Sequence, residues 1–269
     1  PTIAFVLGLA LNAYIAELAI APLPYEVVDV VTVNGVDVGY YPQGDGLVKS
    51  YAISVQPSFY YQATDRISIG GSLTTEQDFD NFEWNSTFAN PLIVDGPEQF
   101  GRARMLEYGL DGPMIATLGA GIQVTDKTKV AIDVSWLRYD GVAGFGSPGG
   151  IVNGVVQPFG WDNVWAFKFG FEHQFSEKLT LRGGYNYSDI PIPPKNTLTA
   201  TGAPAFFQHH ICVGAGIKLT EHITANAGLY YVPKSTSTGP YLQPFADPIG
   251  TVIESNSLLG GQMGLSFDF

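Results

Sequence analysis

Four histidines, one cysteine and a thin scatter of charges are the groups in this chain with chemistry to offer. His209 and His210 are adjacent, so on an extended strand they leave opposite faces and cannot chelate one ion together. His173 falls on an apolar face and His222 in a short turn. Cys212 has no second cysteine for a disulfide or a cysteine metal cluster and reads as a small filler among glycines. Neither Gly-x-Ser-x-Gly nor His-Glu-x-x-His occurs, so catalysis has no recognisable constellation, and no metal or cofactor is expected. An enzyme is therefore not the expected reading. The charges are more suggestive. A turn at Ser176 to Lys178 sets Phe175 opposite Leu179 and Glu172 opposite Arg182. Asp133 is expected at a similar height, giving a cluster of Asp133, Glu172 and Arg182. Two roles follow: the charges neutralise one another inside a wall, or Arg182 or Lys168 meets a ligand carboxylate in a partly dry interior.

A second set is aromatic. The segment Thr75 to Met114 carries Phe82, Trp84, Phe88, Phe100 and Met105, with Phe79, Leu92, Ile93 and Leu106 beside them, and Phe206 and Phe207 are expected to join them from a later loop. Connections are normally polar, so apolar clustering there suggests a capture groove for a hydrophobic small molecule. The plainer reading is that these side chains pack together to fold a long loop or serve as a plug.

The elements that must position these groups are strands. Ile53, Val55, Pro57, Phe59 and Tyr61 alternate with polar or small residues, and so do Ile67 to Leu73, Leu118 to Val124 and Val130 to Trp136. Trp165, Phe167, Phe169, Phe171, His173 and Phe175 continue the pattern, as do Leu179 to Tyr187, Ile211 to Leu219, Ile223 to Tyr231 and Leu259 to Phe269. Period-two alternation puts one apolar and one polar face on each strand. Between them, short turns and long connections alternate, the asymmetry of a transmembrane barrel. Aromatics gather near strand ends (Tyr60, Trp136, Tyr139, Trp165, Phe175, Tyr230), where an interfacial girdle would lie. Nine strands are expected after Tyr51. Thr2 to Leu11, Tyr14 to Ala21 and Glu26 to Val33 are taken as three more, although Thr2 to Ala21 could also be read as a helix or a signal-peptide core. The chain starts at Pro1 without a Met, so an upstream segment is expected.

The composition agrees. Of the 269 residues, 45% are hydrophobic and only 14% charged, against about 25% charged in an average soluble domain. A formal charge of −12 argues against a nucleic-acid partner. The alternative, a soluble sandwich or lipocalin-like barrel, needs Lys, Glu and Asp on its polar faces. Those faces are instead mostly Gly, Ser, Thr, Asn and Ala. The expected fold is all-β: a closed antiparallel transmembrane β-barrel of about 12 strands, within a range of about 10 to 14, with residues 1–269 as a single barrel domain.

Three stretches resemble the FadL/TodX family of outer-membrane channels for hydrophobic compounds: Pro57 to Gly70, Leu118 to Trp136, and above all Trp161 to Gly216. The last holds Leu-Arg-Gly-Gly-Tyr at 181–185, Pro191-Ile-Pro-Pro194, and His210 before a Gly-rich alternating strand. The resemblance implies a monomeric barrel with an N-terminal hatch in its lumen, which captures a hydrophobic ligand at the outer loops and releases it through the wall. The chain departs from that pattern in lacking an Asn-Pro-Ala hatch motif. Passive uptake of long-chain fatty acid or hydrocarbon across a bacterial outer membrane is the expected function, with membrane lipid or lipopolysaccharide around the wall. The alternatives are a general diffusion porin for polar solutes and a structural or adhesive barrel that binds a partner protein.

Overall fold

The computed structural model describes residues 4–146, 148–243 and 247–267. Asp268 and the terminal Phe269 lie outside the described residues, as do Thr2 and Ile3. Ten long strands form the wall: β1 (Phe5–Leu18), β2 (Val48–Thr64), β3 (Ile67–Thr74), β4 (Met114–Thr125), β5 (Thr128–Arg138), β6 (Val164–Gln174), β7 (Leu179–Ser188), β8 (His209–Lys218), β9 (Ile223–Pro240) and β10 (Thr251–Phe267). Each pairs antiparallel with its neighbour in the chain, so the sheet is a simple up-and-down path from β1 to β10, with short Asp78–Phe79 added beside β2. No helix among the described residues is long and apolar enough to cross a membrane.

Nine of these strands follow Val48. The N-terminal region differs from expectation, because Phe5–Leu18 is one unbroken strand rather than two. Its outward set, Leu7, Leu9, Leu11 and Ile15, keeps one phase past Asn12, whose side chain turns to Ser54 on the other face. Nothing in that alternation asks for a turn. Asp29–Val33 is a strand, but it pairs with Val36–Tyr40 in a separate hairpin through the turn Asn34-Gly35, both at positive φ. The wall thus holds ten strands among the described residues, where about 12 were expected.

Pro233 to Asn256, which the sequence pattern leaves as a long connection between the strands expected at Ile223 to Tyr231 and Leu259 to Phe269, is largely strand in the structure. β9 and β10 pair on through Ser235↔Asn256 to Pro240↔Thr251, after a register shift between Val232 and Ser235. Ser235 to Gly239 is polar or bare on both faces and Val252 and Ile253 are adjacent rather than alternating, so no apolar alternation advertises the pairing, and Pro233 reads as a break when it marks an irregularity in the ladder.

One face of the wall is apolar throughout and uncovered by protein: Met263 is 92% exposed. Aromatics on it lie across glycines of the next strand, as Phe171 does over Gly183, where any Cβ would collide with the ring. The buried core is elsewhere, among the long connections. Leu23, Phe82, Trp84 and Leu106 form one cluster, and Phe159, Trp161, Ile192, Ala200 and Phe206 another. Tyr25 and Leu110 pack against both, and Tyr25 stacks on Tyr108 at 4.6 Å and meets Phe159 edge-on at 5.9 Å. All five long connections lie at one end of the wall, because short turns join the strands at the other, and the first four of them share this apolar layer.

Candidate functional site

On the polar face the ladder sets rows of side chains across β5 to β8. Lys129 stands opposite Glu172, and Glu172 opposite Arg182. Arg182 Nε donates to Glu172 Oε2 at 2.7 Å, and its Nη1 to Asn226 Oδ1 at 3.2 Å. Asn226 Nδ2 in turn donates to the Ser266 hydroxyl at 3.1 Å. This row thus runs from β5 to β10.

Asp133 is not part of it. It faces Lys168, four residues nearer the long connections, and its carboxylate lies over Gly119, where a Cβ has no room. Lys168 faces Asn186, which faces His210. Lys168 Nζ reaches the Ser135 hydroxyl at 3.3 Å, and Asn186 Nδ2 and His210 Nδ1 are 3.1 Å apart. The expected trio therefore divides: Glu172 and Arg182 meet, while Asp133 sits in the row of Lys168 without bonding to it among the described residues. His209 points the other way, onto the apolar face, with its Nδ1 2.7 Å from the Tyr185 hydroxyl. Two cavities border the Arg182 row. One of about 610 Å³ lies against Gln62, Lys129, Glu172 and Arg182. The other, about 550 Å³, lies against Arg182, Asn226, Gln262 and Ser266.

The aromatic set is divided too. Phe82 and Trp84 are fully buried on the hairpin Phe82–Thr87/Ala103–Tyr108, their rings stacked 6.0 Å apart, and Phe206 is fully buried in the second cluster. Phe100 and Met105 stand exposed on the same connection. Phe88 lies under the Arg104 guanidinium at 4.3 Å, and Phe207 meets the His210 ring edge-on at 6.4 Å.

Sequence reasoning passed over the contact that ties the connections together. Arg104 grips Asp29 with both terminal nitrogens, at 2.8 and 2.9 Å, in a largely buried pair. Beside it, Asn90 Nδ2 donates to the carbonyls of Asp29 and Val38, pinning both strands of the 29–40 hairpin. A separation of 75 residues leaves no local signal for such a pair. Nearby, burial raises the Asp111 carboxyl above its ordinary range. The Phe79 amide, which donates to it at 2.8 Å, pulls the other way, and Asp78 and Glu76 push it higher. Among the described residues no group of three or more His, Cys, Asp and Glu side chains could hold a metal ion.

The wall is thus an up-and-down sheet, apolar on one face and polar on the other, with an elaborate loop layer at one end. The profile of the outer membrane protein transport protein family (OMPP1/FadL/TodX) matches residues 101–240, half of the chain. The chain belongs to this family. FadL/TodX proteins are bacterial outer-membrane channels, and the chain is accordingly an outer-membrane β-protein. Its fold is similar to the toluene transporter TodX of P. putida (TM-score 0.58, 16% identity, 87% of this chain and 55% of that one). A FadL homologue of Pseudomonas aeruginosa superimposes with a TM-score of 0.63 at 13% identity, over 98% of this chain and 63% of the other. The CymD monoaromatic hydrocarbon channel does so with 0.58 at 12%, over 98% and 69%. The chain spans a little over half the length of the TodX structure. No curated protein sequence matches it.

Proposed function

We propose that residues 1–269 act as one barrel domain, that its wall closes in the outer membrane, and that the barrel passively admits hydrophobic small molecules of the long-chain fatty acid or hydrocarbon class. The reading rests on the family assignment over residues 101–240. The apolar face meets membrane lipid and lipopolysaccharide, the protein works as a monomer, and the polar face becomes the lumen. There Glu172 neutralises Arg182, and Asp133 and Lys168 are opposite-sign neighbours across the ladder, so the lumen carries charges of both signs rather than the open charged ring of a general porin. Exposed Phe100 and Met105 offer first contact at the outer end, with Phe88 and Phe207 following inward. Phe82, Trp84 and Phe206 shape the layer from beneath.

The test is uptake of a labelled alkane and a labelled long-chain fatty acid, beside a small sugar, in cells lacking their own hydrophobic channel and expressing the full-length gene. Faster entry of either hydrophobe with unchanged sugar entry is the expected result. Sugar entry alone would make the protein a diffusion porin. No change in any of the three would leave a structural or adhesive barrel.

A further inference from the structure

The charge of this chain is distributed very unevenly. The five long connections, 19–47, 75–113, 139–163, 189–208 and 241–250, hold sixteen carboxylates and three cations. Chain totals are 25 and 13, so the wall and short turns keep nine carboxylates against ten cations. The whole net charge therefore sits at the end where the long connections gather. One of the three cations, Arg104, is consumed by Asp29, and the other two, Arg102 and Lys195, face solvent.

The second connection is the most acidic. Asp78, Asp80, Glu83, Asp95, Glu98 and Glu107 are all exposed on it. Glu83 and Glu107 stand directly opposite each other in the hairpin ladder. Like charges in that position destabilise a strand pair, so the hairpin keeps its negative surface against its own stability. Asp111, whose carboxyl is raised first of all by burial, registers the same field to a lesser degree, since Asp78 and Glu76 both oppose its ionisation. The cations nearest these connections, Lys49, Arg138 and Lys234 on the adjoining strand ends, leave the carboxylates in large excess; Lys49 is held by Glu17, and Arg182, deeper in the wall, by Glu172.

We infer that this end of the molecule is an electrostatic filter which turns away anionic amphiphiles and admits uncharged hydrophobic molecules. The inference rests on the channel reading above and narrows its cargo to the hydrocarbon side, because a long-chain fatty acid is ionised at neutral pH. Its physical content is that a low-dielectric approach lined by one sign of charge lowers the local concentration of ions of that sign. A carboxylate at the mouth is repelled, while an alcohol or hydrocarbon of equal length is not. Screening weakens the repulsion, because the Debye length falls from about 30 Å at 0.01 M salt to about 8 Å at 0.15 M.

The experiment compares labelled dodecanol with labelled dodecanoate, entering cells that express the full-length protein and have no other hydrophobic channel. Dodecanol is expected to enter about tenfold faster than dodecanoate relative to cells without the protein, within the range electrostatic steering produces. Raising the ionic strength should narrow that ratio by speeding dodecanoate alone. The quadruple variant Asp78→Asn, Asp80→Asn, Glu83→Gln, Glu107→Gln should raise dodecanoate entry several-fold, and its dodecanol entry reports that it has folded. Equal entry of both probes at low salt would overturn the filter and leave the channel standing, as would a dodecanol preference that neither salt nor the variant alters. If neither probe enters faster than in control cells, the channel reading falls and the filter with it.

Discussion

Arg182 shows what a side chain on the polar face must do. It sits in an apolar-backed wall, so its charge needs a partner, and the ladder places Glu172 opposite it and Asn226 on its far side. The pair is only partly buried, with side-chain exposures of 45% and 37%, so solvent screening keeps its contribution near that of a surface ion pair, about 1 kcal/mol or less. Arg182→Met should accordingly leave a folded protein that unfolds in urea with a stability about 1 kcal/mol lower. Adding Glu172→Gln should recover part of the loss, because the remaining carboxylate no longer lacks a partner. Complete failure of Arg182→Met to fold would show that the row from β5 to β10 carries far more than an ion pair. The Glu172–Arg182 register was readable in advance, because a three-residue turn between strongly alternating strands fixes which residues face each other. Asp133 was harder to place. Its row depends on the register between β5 and β6, which are joined by a long connection that imposes none.

At the scale of elements, the outer hairpins depend on a few polar contacts that no local pattern signals. Asp29 and Arg104 are nearly enclosed, and breaking one partner of such a pair costs about 3 to 5 kcal/mol because the other is left as a buried lone charge. Arg104→Ala should therefore free the 29–40 hairpin, raising hydrogen exchange at its amides and at 82–87 while the wall strands stay protected. Asp111 gives the same layer a pH dependence. Its folded-state pKa is raised, so the folded form binds the proton more tightly than the unfolded chain does. The associated stability is complete below the ordinary Asp range and is lost as pH rises through the raised value. Urea unfolding of the loop layer, followed by tryptophan fluorescence, should show a midpoint that falls across that window and is flat there in Asp111→Asn. The apolar character of this layer was legible from Phe82, Trp84 and their neighbours. That Phe82 and Trp84 pack inward rather than line a groove depends on Leu23 and Tyr25, contributed by a connection some 60 residues away in the chain, where β1 ends.

For the whole molecule, the question is which side of the wall meets lipid, and the alternation answers it with one residue of resolution. Strand order and direction were legible because every strand after Tyr51 alternates and every second connection is short. The N-terminal count was not, since an unbroken alternating run can be one long strand or two short ones until its partner is known. β10 offers the sharpest test of sidedness. Met263 projects from the apolar face opposite Ala227, while its neighbour Gln262 projects from the polar face beside Arg182 and Asn226. The two are adjacent in sequence, at the same depth and on the same strand, so backbone effects of substitution are shared. An arginine at the lipid-facing midplane of a barrel costs about 2 to 4 kcal/mol, whereas one facing the interior meets water and counter-charges. Met263→Arg should therefore lower folding stability in lipid vesicles by that amount, and Gln262→Arg by much less. Equal losses in the two variants would mean that both faces meet the same environment, and a wall with that property could not be a barrel in a membrane.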